Sequence, residues 1–222
     1  MNASSYLYSR FIYLRILALG FVTSFLSLST QIQGLIGPRG ILPAGEYLEA
    51  VSQAGPGVMK FLEAPSLLWI GSGSLALNIL CWGGLASGTL LLFNVWPRLT
   101  LFLSWLAYLS YVSVARNFSG FQSDGLMLES ALLAIFVAPR GIWPGLGEKY
   151  PPSQVIVWLF RWLLFRLMFE SGMGKILSHD SAWQTFTAMD DYYENCPFPT
   201  WMGWYVQKFP HFFHAATVAL TF

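Results

Sequence analysis

The chain has 222 residues, 55% of them hydrophobic and 10% charged, with a formal net charge of +1. Soluble domains carry about 25% charged residues. This composition, with a mean hydropathy of +0.52, therefore excludes an ordinary soluble domain and points to an integral membrane protein. The near-neutral charge lacks the basic signature of nucleic-acid binding, and two cysteines, Cys81 and Cys196, are too few for a disulfide framework.

Length and flanks of the apolar segments predict an all-α fold, a polytopic transmembrane helical bundle of about five to six spans, in one domain over residues 1–222. The first span, 11–30, follows a basic flank and contains Arg15. No small-residue cleavage site follows it, so it reads as a retained helix rather than a signal peptide. A Gly/Pro-rich loop comes next, with a short amphipathic helix near 45–53 and an interfacial piece at 60–69. The second span is 74–96, with Ser72 or Ser74 as its N-cap. Within it Gly83, Gly84, Ser87 and Gly88 form overlapping small-xxx-small patterns, a packing signal for a neighbouring helix.

Pro97 and Arg98 break the chain before the third span, 99–115. The fourth, 126–143, opens after Phe121-Gln122-Ser123-Asp124, with Asp124 placed as an N-cap, contains Glu129 and breaks near Pro139. The fifth is 154–173, and 211–222 is the start of a sixth. The positive-inside rule favours a cytosolic N-terminus: Arg10, Arg15, Arg98, Arg140 and Lys149 then share one side. Arg39, Lys60, Arg116, Lys175 and Lys208 fall on the other, diluted by most of the acidic residues, with Asn117-Phe118-Ser119 as a lumenal sequon.

Charge at membrane depth costs several kcal/mol unless paired or hydrated. On a helix of 100° per residue, Arg166 and Glu170 lie on one face and pair. Arg161 lies away from that face, on the side of Lys175, and requires a partner from another helix. The acids at hand are Glu129 and Asp124, so a network joining Glu129 or Asp124 to Arg161 or Arg166 is predicted. Such a network is either a polar site within the bundle or a set of ion pairs that locks helices.

Further along, Asp190, Asp191 and Glu194 stand among Tyr193, Trp201 and Trp204. That mixture suits either an interfacial segment folded back on the bundle or a recognition surface for a client or partner protein. No metal-ligand spacing, nucleophile elbow or cofactor loop is present in the sequence, so no metal, no catalytic residue and no cofactor is predicted. Ten Trp and eighteen Phe suit core packing, or contacts with bound lipids, pigments or quinone.

The run Ile36-Gly37-Pro38-Arg39-Gly40-Ile41-Leu42-Pro43-Ala44 resembles the first lumenal loop of the lipase maturation factor family. So does Phe121-Gln122-Ser123-Asp124 followed by Leu126-Met127-Leu128-Glu129. The strongest likeness is Arg161-Trp162-Leu163-Leu164-Phe165-Arg166-Leu167-Met168-Phe169, with Ser171-Gly172 and Lys175. It continues through Trp183, Thr187-Ala188, Tyr193-Glu194, Pro197-Phe198-Pro199-Thr200 and Trp204-Tyr205. The chain departs from the family pattern at Ser123, Ala182, Tyr192 and Cys196, where Trp, Cys, His and Gln are usual.

The resemblance implies a non-enzymatic protein of the endoplasmic-reticulum membrane that helps secreted lipases fold and assemble. Its implied partners are membrane lipids and lipase clients. It also implies that these residues are the membrane half of a longer architecture. The alternative is a structural or assembly subunit of a larger membrane complex, in the endoplasmic reticulum or in a plastid or mitochondrial membrane. A third reading places a membrane enzyme at Glu129, Arg161 and Glu170, distantly like the vitamin K-dependent carboxylases.

Overall fold

The computed structural model describes residues 6–55, 57–196 and 200–222. Among them all regular structure is helical, and the chain divides into two compact units, Met1–Phe160 and Arg161–Phe222.

The first unit is built on α1 (Leu7–Ile36), α4 (Ser74–Leu92), α5 (Pro97–Ala115) and α6 (Gln122–Val137), each packed on the next in that order. Between α1 and α4 lie α2 (Ala44–Ala54), α3 (Met59–Glu63) and a 3-10 turn at Leu67–Trp69. In α1 the buried Leu14, Ala18, Phe21, Phe25, Ile32 and Ile36 recur every three to four residues and form one stripe. On the outer face, the Thr23, Ser29 and Thr30 hydroxyls donate to carbonyls of their own helix, at Leu19, Leu26 and Ser27. They thus need no partner from lipid.

Lipid is as apolar as the core, so close packing rather than water exclusion holds such helices together. Gly84 is central to that packing: a Cβ there would come within 2.4 Å of the Phe25 ring. Phe25 is fully buried, stacked on Phe21 at 6.4 Å and edge-on to Tyr108 at 6.0 Å. Gly88 lies against Phe21 and Val22, and Ser87 shares a 2.9 Å hydrogen bond with Ser104 of α5. Nothing lies within 4 Å of where a Cβ on Gly83 would sit. Of the four small residues, Gly84, Ser87 and Gly88 therefore take part in the α1–α4 and α4–α5 contacts.

Among the described residues, three helices are long and apolar enough to cross a membrane: Leu7–Ile36, Ser74–Leu92, and Pro97–Phe118, where a 3-10 turn extends α5. The predicted count of about five to six spans is thus met in part. Helix α6 has 16 residues, about 24 Å of rise, against a hydrocarbon core of about 30 Å. It stops before Pro139, which disfavours helical geometry in the residue ahead of it. Helix α7 (Gln154–Leu177) has the length, but Arg161, Arg166, Glu170 and Lys175 lower its hydropathy.

The caps also differ from the sequence reading. Helix α4 starts at Ser74 with Gly73 as N-cap and no side-chain cap bond. Helix α6 starts at Gln122 with Phe121 as N-cap, which makes Asp124 a first-turn residue rather than the cap.

The second unit comprises α7 from Arg161 onward, α8 (Ser181–Gln184), α9 (Tyr192–Asn195), α10 (Trp201–Val206) and α11 (His211–Ala219). Two of its short helices, α8 and α10, start on side-chain caps: Asp180 accepts from Ala182 N at 2.9 Å and Thr200 from Gly203 N at 3.0 Å. The chain end returns to α7, where Gly172 faces the Phe222 backbone and Lys175 Nζ donates to Thr221 O at 2.7 Å.

Candidate functional site

One end of the first unit gathers the start of α1, the α4–α5 turn and the loop after α6. That loop, residues 138–153, is rich in Pro and Gly and leaves many carbonyls without helical partners. Arg10 supplies donors: Nη1 bonds Val137 O at 3.2 Å and Tyr150 O at 2.5 Å, and Nη2 bonds Leu146 O at 2.5 Å and Gly147 O at 3.0 Å. The residue is 5% exposed. The planar guanidinium presents donors in a fixed fork, which one ammonium nitrogen cannot reproduce over four carbonyls.

Two further residues hold the same loop. Asn94 Nδ2 donates to Gly145 O at 2.9 Å, and Arg98 Nε donates to Ala138 O at 3.2 Å. The Trp96 amide donates to Ile142 O at 2.9 Å. To make these contacts the turn adopts left-handed backbone at Asn94, φ +65°, and at Trp96, φ +43°. A bulky residue rarely accepts that region, and Pro97 then starts α5 at the position where its missing N–H costs nothing. The basic residues read from the sequence as a charged flank are the bolts of this end. A signal was present: an arginine at the head of an apolar helix, and a distant Pro/Gly loop short of donors.

A second polar cluster lies inside the bundle. The Tyr108 hydroxyl of α5 donates to Asp124 Oδ1 at 2.6 Å. Tyr108 is 5% exposed and packs edge-on against Phe21 and Phe25, with Tyr111 6.2 Å away. Asp124 is half-buried in the first turn of α6, where the helix dipole favours an anion. Glu129, five residues on, is on an exposed part of α6. Asp124, one of the two carboxylates the sequence offered as ion-pair partners, is thus engaged by a tyrosine.

In the second unit Arg166 Nε lies 3.7 Å from Glu170 Oε1, both side chains substantially exposed. Arg161 is on an exposed part of α7. Lys175 bonds Thr221 O and lies 5.0 Å from the Trp183 ring centre. The acidic, aromatic segment is partly ordered by its own contacts. Asp190 pairs with His211 at 2.9 Å, the Gln207 amide donates to Asp190 O, and Lys208 sits over the Trp204 ring. Tyr193 packs on His214. Asp191, Glu194, Trp201 and Trp204 remain exposed, Trp201 at 77% and Trp204 at 59%. Pro197–Pro199 lie outside the described residues. No group of three or more His, Cys, Asp or Glu that could hold a metal occurs among the described residues.

A family model, the lipase maturation factor transmembrane domain, matches residues 8–222. Lipase maturation factor 2 of Homo sapiens is 38% identical over 231 residues, covering 96% of this chain and 32% of that protein. The Rattus norvegicus protein of the same name is 38% identical over 226 residues, 95% of this chain and 32% of the relative. Lipase maturation factor 1 of Mus musculus is 31% identical over 221 residues, 96% of this chain and 38% of the relative. The chain therefore spans about a third of the length of the curated relatives it matches. No solved structure matches. This chain, whose described residues form helices only, three of them of membrane length, and which this domain matches along nearly its whole length, belongs to the lipase maturation factor family.

Proposed function

We propose that this chain acts in the maturation of secreted lipases, as the membrane part of a folding and assembly factor of the endoplasmic reticulum, without catalysis of its own. The observation that carries this reading is the family match across residues 8–222, with relatives that are named lipase maturation factors. The polar groups of the bundle fit a scaffold: Arg10, Asn94 and Arg98 hold a loop, and Tyr108 holds Asp124. With a cytosolic N-terminus and both α6 and α7 as further crossings, five in all, residues 178–196 and 200–210 face the lumen. There the exposed Trp201, Trp204, Asp191 and Glu194 offer aromatic and acidic contacts to a client.

The test is co-purification from secretory cells expressing a secreted lipase, with the wild-type chain and with a Trp201→Ala, Trp204→Ala double variant. Wild type is expected to retain the immature lipase and the variant to retain less, at unchanged thermal stability. Stoichiometric recovery with other membrane subunits and no lipase would refute the proposal in favour of an assembly subunit.

A further inference from the structure

A cavity of about 500 Å³ opens beside the Arg10 clamp, lined by Phe11, Arg15, Leu92, Phe93, Asn94 and the loop at Trp143 and Gly145. Its size falls in the usual range of small-ligand pockets, about 300–1,000 Å³. The Arg15 guanidinium carbon stacks 4.1 Å from the Phe11 ring centre, which fixes the plane of the group. Both its Nη atoms are closed off from solvent and have no hydrogen-bond partner among the described residues. Burying a charged fork without an acceptor is costly, so a turn of the Arg15 side chain that brings the fork onto an acceptor held in the cavity is favourable.

Asn94 adds a second orphan. Its Nδ2 is taken by Gly145 O, while its Oδ1 is buried with no partner among the described residues. An Arg fork matches two oxygens of a phosphate or carboxylate, and an acceptor oxygen nearby suits a hydroxyl on the same ligand. The rim consists of exposed aromatic side chains, Phe93 at 65% and Trp143 at 70%, in a protein whose flanking helices cross the membrane. A ligand with an anionic, hydroxyl-bearing head and an apolar tail satisfies all of these features.

We infer that this cavity is a binding site for the phosphate head of an anionic phospholipid, with Arg15 as its anchor. The shared chemistry is an oxyanion, and lipid and free phosphate are separated by experiment. The purified chain in neutral detergent micelles is titrated with phosphatidylglycerol, phosphatidylcholine or inorganic phosphate, and thermal unfolding is followed. At saturating phosphatidylglycerol the wild type is expected to gain about 5 °C in Tm, with little change from phosphatidylcholine. Arg15→Gln is expected to lose the gain and Arg15→Lys, which keeps the charge but not the fork, to retain part of it.

Arg10, Arg98 and Arg140 stand at the same end of the chain's fold and attract anionic lipid non-specifically, so the Arg15 variants carry the decision. An equal gain in wild type and Arg15→Gln overturns the site, as does no gain with any anion. A full gain with inorganic phosphate alone supports the oxyanion site and overturns the lipid as its occupant. Should Arg15→Gln fail to fold, Arg15→Lys decides: a gain equal to wild type removes the fork from the argument.

Discussion

Arg10→Met removes the donors of the loop clamp while keeping an unbranched apolar stem in the same space. Each hydrogen bond from a charged donor contributes about 1.5–3 kcal/mol. Four such bonds end on Val137, Leu146, Gly147 and Tyr150. Their sum overstates the loss, because the bonds share one side chain and the loop carbonyls at Leu146 and Tyr150 can rehydrate. The bonds to Val137 and Gly147 are buried and cannot. Two lost bonds set a floor of about 3 kcal/mol, and a chain of this length shifts in Tm by roughly 2–4 °C per kcal/mol. A drop of about 6–12 °C follows. Arg10→Lys restores part of it, since one nitrogen reaches some but not all of the carbonyls. The assay is thermal unfolding in detergent, with limited proteolysis of the 138–153 loop as a local readout. An Arg10→Met protein with unchanged Tm and an uncut loop would refute the clamp.

Two further expectations follow from packing and polar contacts. Gly84→Ala pushes a Cβ into the Phe25 ring and is expected to cost about 1–3 kcal/mol; Gly83→Ala, in open space, gains up to about 1 kcal/mol of helix propensity. Opposite signs in paired thermal unfolding support this packing, and equal effects would refute it. Tyr108→Phe leaves Asp124 without its 2.6 Å donor and is expected to cost about 1.5 kcal/mol, measured by the same unfolding; added Asp124→Asn should then cost little more, because the pair acts as one unit.

Much of the fold is legible from single helices, because hydrophobic runs and Pro/Gly breaks are local. The amphipathic helix read at 45–53 is observed at Ala44–Ala54, and the break at Pro97 begins α5. Helix ends were less legible. The residue before a helix is set by backbone conformation, and extended Phe121 takes the N-cap position that side-chain chemistry suggested for Asp124. The small-residue stripe names four positions, yet which of them meets a neighbour depends on the phase of α4 against α1. One residue separates Gly84, under Phe25, from Gly83, which faces open space.

The Arg166–Glu170 pair was legible from the helix wheel, but the partners of Arg10, Arg98 and Asp124 were not, for a physical reason. A wheel projection compares side chains on one helix and invites pairing of opposite charges. In a bundle the scarce acceptors need not be carboxylates: wherever the backbone leaves helical geometry, carbonyls lose their partners and cannot turn to water at depth. A Pro/Gly loop therefore competes for arginine as strongly as a glutamate does. Arg10 and Arg98 answer to carbonyls of residues 136–150, and Asp124 answers to a tyrosine. Arg15, by contrast, has no hydrogen-bond partner for either Nη among the described residues, and it lines a cavity. Counting loop carbonyls against available donors, before pairing charges, separates Arg10 and Arg98, which hold this end together, from Arg15, which lines the cavity.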